Sequence, residues 1–180
     1  MKLCIYGASS NQIHKNYLDA GELLGGLMAQ RGHQLVFGGG ATGMMGAVVR
    51  GLTKEKGTSL GIAPHFFQQP GILYEDCTEF IFTDTMRERK ELMENLSDGF
   101  IMTPGGIGTY EEFFEVLTLK QLGQHEKPIG ILNTDGYFQP LKDLLDITIA
   151  KGFMKADCRN LYIMEENPEK LLEMMEQLHK

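Results

Sequence analysis

Short apolar runs alternate with amphipathic stretches along the whole chain, and this alternation constrains the fold more than any single motif. The run KLCIY precedes a helical pattern in which Tyr17, Ala20, Leu24, Leu27 and Met28 recur at helix spacing, with Gly32 as its stop. QLVF then leads through GGGATGMMG into a helix carrying Val48 and Leu52. SLGIA, EFIF, GFIM, PIGIL and LYIM read as further strands, with helices expected over 85–96, 110–122 and 138–149 and a last one opened by Asn167-Pro168. Consecutive parallel strands need crossovers, and helices supply them. The pattern predicts an α/β fold, a doubly wound parallel sheet flanked by helices. At 180 residues the chain is expected to form a single domain over 1–180.

One connection breaks the rhythm. Between two strands, 64–78 holds Pro64, Pro70 and Gly71 and no helical pattern, and such long loops serve either as functional lids or as plain surface excursions. Its apolar His-Phe-Phe implies that it packs on something.

Composition narrows the partners. A net charge of −7 argues against sequence-independent binding to a nucleic acid polymer, which needs a broad field of Lys and Arg. Local clusters are another matter, and MRERK brings Arg87, Arg89 and Lys90 together; the bland alternative is a solvated helix face. No stretch approaches membrane-spanning length, and the opening run lacks a leader's apolar core. Cys4, Cys77 and Cys158 form no C-x-x-C pair, so reduced thiols in a cytoplasmic protein are expected.

Two glycine-rich stretches fall where strands end and helices begin. In open α/β sheets, ligands bind outside the carboxyl ends of strands, and a helix start offers free N–H groups to an anion. GGGATGMMG and PGGIGT are therefore candidate cradles for phosphate or ribose. Gly38, Gly40 and Gly43 fit G-x-G-x-x-G, yet the next strand ends GIAPH without the acidic residue that a dinucleotide site requires. Neither loop fits a P-loop, and the five histidines make no zinc or H-E-x-x-H spacing, so no metal is expected.

In TPGGIGTYEEF the carboxylate of Glu112 has two readings. Thr109 to Glu112 spells a T-x-x-E capping box, and Glu112 equally sits beside an anion cradle. Thr85 to Glu88 is a second box, which assigns Glu88 to its own helix start and leaves Arg87 without a role.

PGGIGTYEE preceded by MRERK, with GGGATGMMG upstream and EVLTLKQLGQHEKPIGILNTDGYFQPL downstream, resembles the LOG ("lonely guy") family over nearly the whole chain, from YGASSN to KGFM. Characterised members are cytokinin riboside 5′-monophosphate phosphoribohydrolases, and many relatives carry an older lysine decarboxylase label. The resemblance implies a Rossmann-like homodimer that releases free base and ribose 5-phosphate from an adenosine-type 5′-monophosphate, with no cofactor. It assigns catalytic roles to Arg89 and Glu112. It assigns substrate contacts to Lys90, to Gly39, Gly40 and Gly43, to the run Gly105, Gly106, Ile107, Gly108, Thr109, Tyr110 and Glu111, and to Thr118. Plant members usually have Trp-Ala where this chain has Leu119-Lys120. With no tryptophan present, Tyr110, Phe113, Phe114 and methionines are candidate base contacts, although apolar residues on a helix are more often core. The rival reading is a nucleotide or molybdenum-cofactor carrier. Retention of both Arg89 and Glu112 favours the enzyme, because holding a phosphate does not call for a second anion.

Overall fold

In the computed structural model, which describes residues 1–179, strand β1 (Lys2–Tyr6) shows how the sheet is built. Successive side chains point to opposite faces. Leu3 and Ile5 enter one apolar cluster, while Cys4 and Tyr6 enter the other, so both faces of the strand are buried. That double burial is why the strands read as near-continuous apolar runs.

The remaining strands are β2 (Gln34–Phe37), β3 (Ser59–Pro64), β4 (Glu79–Thr83), β5 (Gly99–Met102), β6 (Ile129–Leu132) and β7 (Ile163–Glu165). All pair in parallel, in the order β4-β3-β2-β1-β5-β6-β7. Helices α1 (Lys15–Gln30), α2 (Gly43–Lys54) and α6 (Pro168–Leu178) cover one face with Leu24, Met28, Val48, Leu52, Leu171 and Met175. Helices α3 (Met86–Asn95), α4 (Ile107–Gln121) and α5 (Gln139–Ala150) cover the other with Met93, Phe113, Val116, Leu141 and Leu145. This is the expected doubly wound, Rossmann-like arrangement. Gly32, at φ +73°, lies just beyond α1 as its stop.

Helices α1 and α2 meet closely. A Cβ on Gly25 would lie 1.9 Å from Val48 O, and one on Gly51 would lie 1.9 Å from Glu22 O, so only glycine permits this spacing.

The strand order reverses between β1 and β5. Connections from β1 run outward through β2 to β4, whereas β5 lies on the other side of β1, and this divergence opens a crevice at the carboxyl ends of the central strands. The β3–β4 connection has no helix beyond a 3-10 turn at His65–Phe67. It lies against the first glycine loop, where Ala41 N–H donates to Ile72 O at 2.9 Å and Tyr74 N–H donates to Gly39 O at 2.9 Å.

Candidate active site

The crevice holds a cavity of about 550 Å³, ample for a small ligand. Three chain reversals form its floor: Gly7 to Ser10 after β1, Gly38 to Thr42 after β2, and Gly106 to Thr109 at the start of α4. Arg89 from α3 and Glu112 from α4 stand in one wall. Met45, Phe67, Ile72, Leu73 and Met86 make the rest of it apolar.

Arg89 is buried and its guanidinium is fixed at three points. Nε donates to Ile62 O at 3.2 Å, Nη1 donates to Glu112 Oε1 at 2.7 Å, and Nη2 rests over Gly38, where a Cβ would come within 2.2 Å of it. The MRERK cluster is thus divided by helix geometry. Arg87 faces solvent, Arg89 faces the crevice, and Lys90 turns to Glu111 and to Glu115, the latter at 2.6 Å.

The capping-box reading of Glu112 is not what the structure contains. Helix α4 starts three residues earlier than that reading requires, with Gly106 as its N-cap and no side-chain cap bond, so Thr109 and Glu112 lie inside the helix. Glycine was the stronger start signal. Glu112 therefore sits in the second turn, beyond the reach of the dipole's positive end. Burial drives its pKa above the ordinary carboxylate value, and the Arg89 guanidinium opposes that rise without cancelling it. The second box does form: Thr85 accepts from Glu88 N–H, and Glu88 accepts from Thr85 N–H.

A family model described as "Possible lysine decarboxylase" matches residues 45–175. The rice (Oryza sativa subsp. japonica) protein named probable cytokinin riboside 5′-monophosphate phosphoribohydrolase LOGL1 is 39% identical over 98% of this chain and 79% of its own length. The chain belongs to the LOG family. It is also similar to Arabidopsis thaliana cytokinin riboside 5′-monophosphate phosphoribohydrolase LOG5, at 37% identity over 97% of this chain and 77% of that protein. Among solved structures, the molybdenum cofactor binding protein from the phototrophic bacterium Rippkaea orientalis shares the fold, with a TM-score of 0.74 at 23% identity over 99% of this chain and 96% of that one.

Of the residues that the LOG resemblance nominates, the cavity gathers Gly40, Arg89, Gly106, Gly108, Thr109 and Glu112. Lys90, Gly39, Gly43, Gly105, Tyr110 and Glu111 are close by in sequence but do not line it. Gly43 is held from behind, at φ +61° with its N–H bonded to Asn11 Oδ1 at 2.9 Å. Ile107 and Thr118 face outward on α4. The aromatic candidates for base contact are likewise elsewhere: Phe113 is core and Phe114 faces solvent. Lys120 donates to Lys127 O, away from the crevice.

The sequence had not singled out Gly7, Ala8, Ser9, Ser10, Phe67, Ile72 and Leu73; Thr42 and Met45 lie within the GGGATGMMG cradle, and Met45 and Met86 are among the methionines named as candidate base contacts. GASSN follows an apolar run as the two glycine loops do, which was a usable signal. Met86 lies three residues before Arg89, the spacing that shares a helix face.

Proposed function

We propose that this protein hydrolyses the N-glycosidic bond of adenosine-type, N6-substituted nucleoside 5′-monophosphates, releasing the free base and ribose 5-phosphate. The observation that carries this reading is the buried Arg89–Glu112 pair in the wall of a glycine-floored cavity, in a chain of the LOG family.

As the bond from ribose to base lengthens, the base withdraws the bonding electrons and positive charge builds on the sugar; water then adds at the anomeric carbon and its proton leaves with the base. A carboxylate near that carbon stabilises the cation. Unit charges about 4 Å apart at an effective dielectric of about 20 attract by about 4 kcal/mol, equivalent to nearly three decades of rate. Glu112 has this role, and its raised pKa also makes it a stronger base toward the attacking water. Arg89 holds the carboxylate in a fixed direction and favours its ionised form. The phosphate lies at the start of α4, where the helix N–H groups are free, and the base rests on the apolar wall of Met45, Phe67, Ile72, Leu73 and Met86.

A decarboxylase using pyridoxal phosphate does not fit these residues. No lysine lines the cavity, and burial, which would lower the pKa of Lys90, is outweighed by its bonds to Glu111 and Glu115, so the amine is held protonated. The carrier reading draws on fold alone and leaves Glu112 without a task.

The same reading includes a homodimer in a reducing compartment, the cytoplasm. Ile107 and Phe114 on α4 and Leu122 at its C-cap are exposed apolar residues, and Cys4, Cys77 and Cys158 are free thiols. Among the described residues no helix is long and apolar enough to cross a membrane.

The test is a panel of nucleoside 5′-monophosphates and the matching nucleosides, scored for free base and ribose 5-phosphate. AMP and its N6-isopentenyl form should be cleaved, and adenosine should not. Binding of AMP with no base released under any condition would establish the carrier instead.

A further inference from the structure

The NTDGY turn after β6 belongs to no part of the cavity, yet it reaches the cavity's anion-binding end. Thr103 N–H donates to Tyr6 O at 2.8 Å, and the next three carbonyls are each engaged. Pro104 O accepts from Ala8 N–H at 3.1 Å, and Gly106 O accepts from Tyr110 N–H at 3.1 Å, both backbone bonds. Gly105 O alone depends on a side chain, the Tyr137 hydroxyl at 2.8 Å. Because a trans peptide is planar, fixing the Gly105 carbonyl also fixes the opposed N–H of Gly106, a cavity residue whose N–H has no acceptor among the described residues.

We infer that Tyr137 is a positioning residue, which aims the Gly106 N–H at the substrate phosphate by holding the Gly105 carbonyl from outside the cavity. The turn is shaped for this task. Asp135 adopts a left-handed conformation at φ +53°, which aspartate tolerates, and its carboxylate accepts from the Asn16 amide. Buried Asn133 accepts from Phe138 N–H at 2.7 Å, closing the turn on its other side. The Tyr137 ring then packs edge-on against Tyr17 and Phe138, with centroids 5.8 and 4.9 Å away. Burial and the nearby Tyr110 hydroxyl raise the Tyr137 pKa, so the donor keeps its proton. On its far side Gly105 is closed by Thr109, whose Oγ1 would lie 2.1 Å from an added Cβ.

The inference rests on the phosphate-cradle reading above, and Tyr137→Phe tests it, since the ring packing stays and only the hydroxyl goes. AMP and adenosine affinities are measured by calorimetry on the parent and the variant, beside steady-state kinetics and a ligand-free melting curve. AMP binding should weaken about tenfold, the usual scale for one hydrogen bond, with adenosine unchanged, because only AMP carries the phosphate. KM should rise by a similar factor with kcat nearly constant, the signature of lost uniform binding. AMP affinity within about twofold of the parent would overturn the inference, as would AMP and adenosine weakening together, which marks a merely structural role. A parent that binds AMP without cleaving it defeats the hydrolase reading alone, and the affinity comparison still decides the role of Tyr137.

Discussion

Arg89 Nη1 donates to Glu112 Oε1 at 2.7 Å across the seam between α3 and α4, with the two side chains only 7% and 13% exposed. A pair this withdrawn from water gives each partner a fixed direction, and removal of either leaves a poorly solvated charge behind. Structure and chemistry therefore depend on the same bond, and variants of the pair report on both.

Glu112→Gln separates the two. Glutamine still accepts from Arg89 and is spared the ionisation that burial opposes at this site, so stability should stay within about 1 kcal/mol of the parent. Base release per folded molecule should drop about a hundredfold or more. A melting curve beside a single-turnover assay measures both, and a retained rate per folded molecule would remove Glu112 from the chemistry.

The same carboxylate sets a pH limb. With burial holding the Glu112 pKa above the ordinary carboxylate value, its ionised form is lost on acidification earlier than an exposed glutamate's would be. The acid limb of kcat/KM for AMP should therefore lie above the ordinary glutamate range. A limb at or below that range would assign it to another group.

Arg89→Lys keeps the charge but lacks the fork that bonds Ile62 O and Glu112 together. Turnover should fall well over about tenfold, with KM changed less than kcat, because the lysine cannot hold Glu112 in one direction. Near-normal turnover would return Arg89 to a purely structural part.

Gly38 offers a test that touches neither partner. Its backbone is the seat of the Arg89 guanidinium, and an alanine Cβ 2.2 Å from Nη2 forces that group to move. Gly38→Ala should lower kcat by about tenfold or more through the displaced Arg89. Unchanged kcat would mean that the guanidinium can shift without consequence.

The strands and helices were legible because each apolar run has one period and its neighbour another, and the two glycine loops marked the strand ends. From the residue pattern alone Arg89 was legible only as part of MRERK, and it was the family resemblance that singled it out; helix geometry, which separates residues one and two apart, sends it inward and Arg87 outward. The cap at Thr109 was misread because T-x-x-E and a glycine start compete for one helix end, and the glycine lies earlier. The apolar His-Phe-Phe showed that Phe67 packs on something but not on what, and Ile72 and Leu73 could not be read from any pattern. They reach the cavity because a helix-free crossover folds onto Gly39 and Gly40, a contact between segments distant in sequence and without periodicity.

A last prediction concerns Glu94 on α3, four residues beyond Lys90. Burial, then the neighbouring Glu115 carboxylate, push its pKa up to about 7, with Lys90 and Lys127 opposing and Glu91 adding to the rise. A carboxyl whose folded pKa is raised stabilises the fold relative to an ordinary glutamate only while it is protonated; that contribution is complete below the unfolded pKa and is lost as pH rises through about 7. Glutamine cannot ionise, so Glu94→Gln should leave the melting temperature almost unchanged in mildly acidic buffer and raise it in mildly alkaline buffer. Half-burial lets solvent screen the effect, so the gain should be on the order of 1 kcal/mol. Melting curves of parent and variant across that range measure it. A gain that is constant with pH would show that the variant acts through packing, and a gain confined to the acid side would reverse the sign of the Glu94 shift.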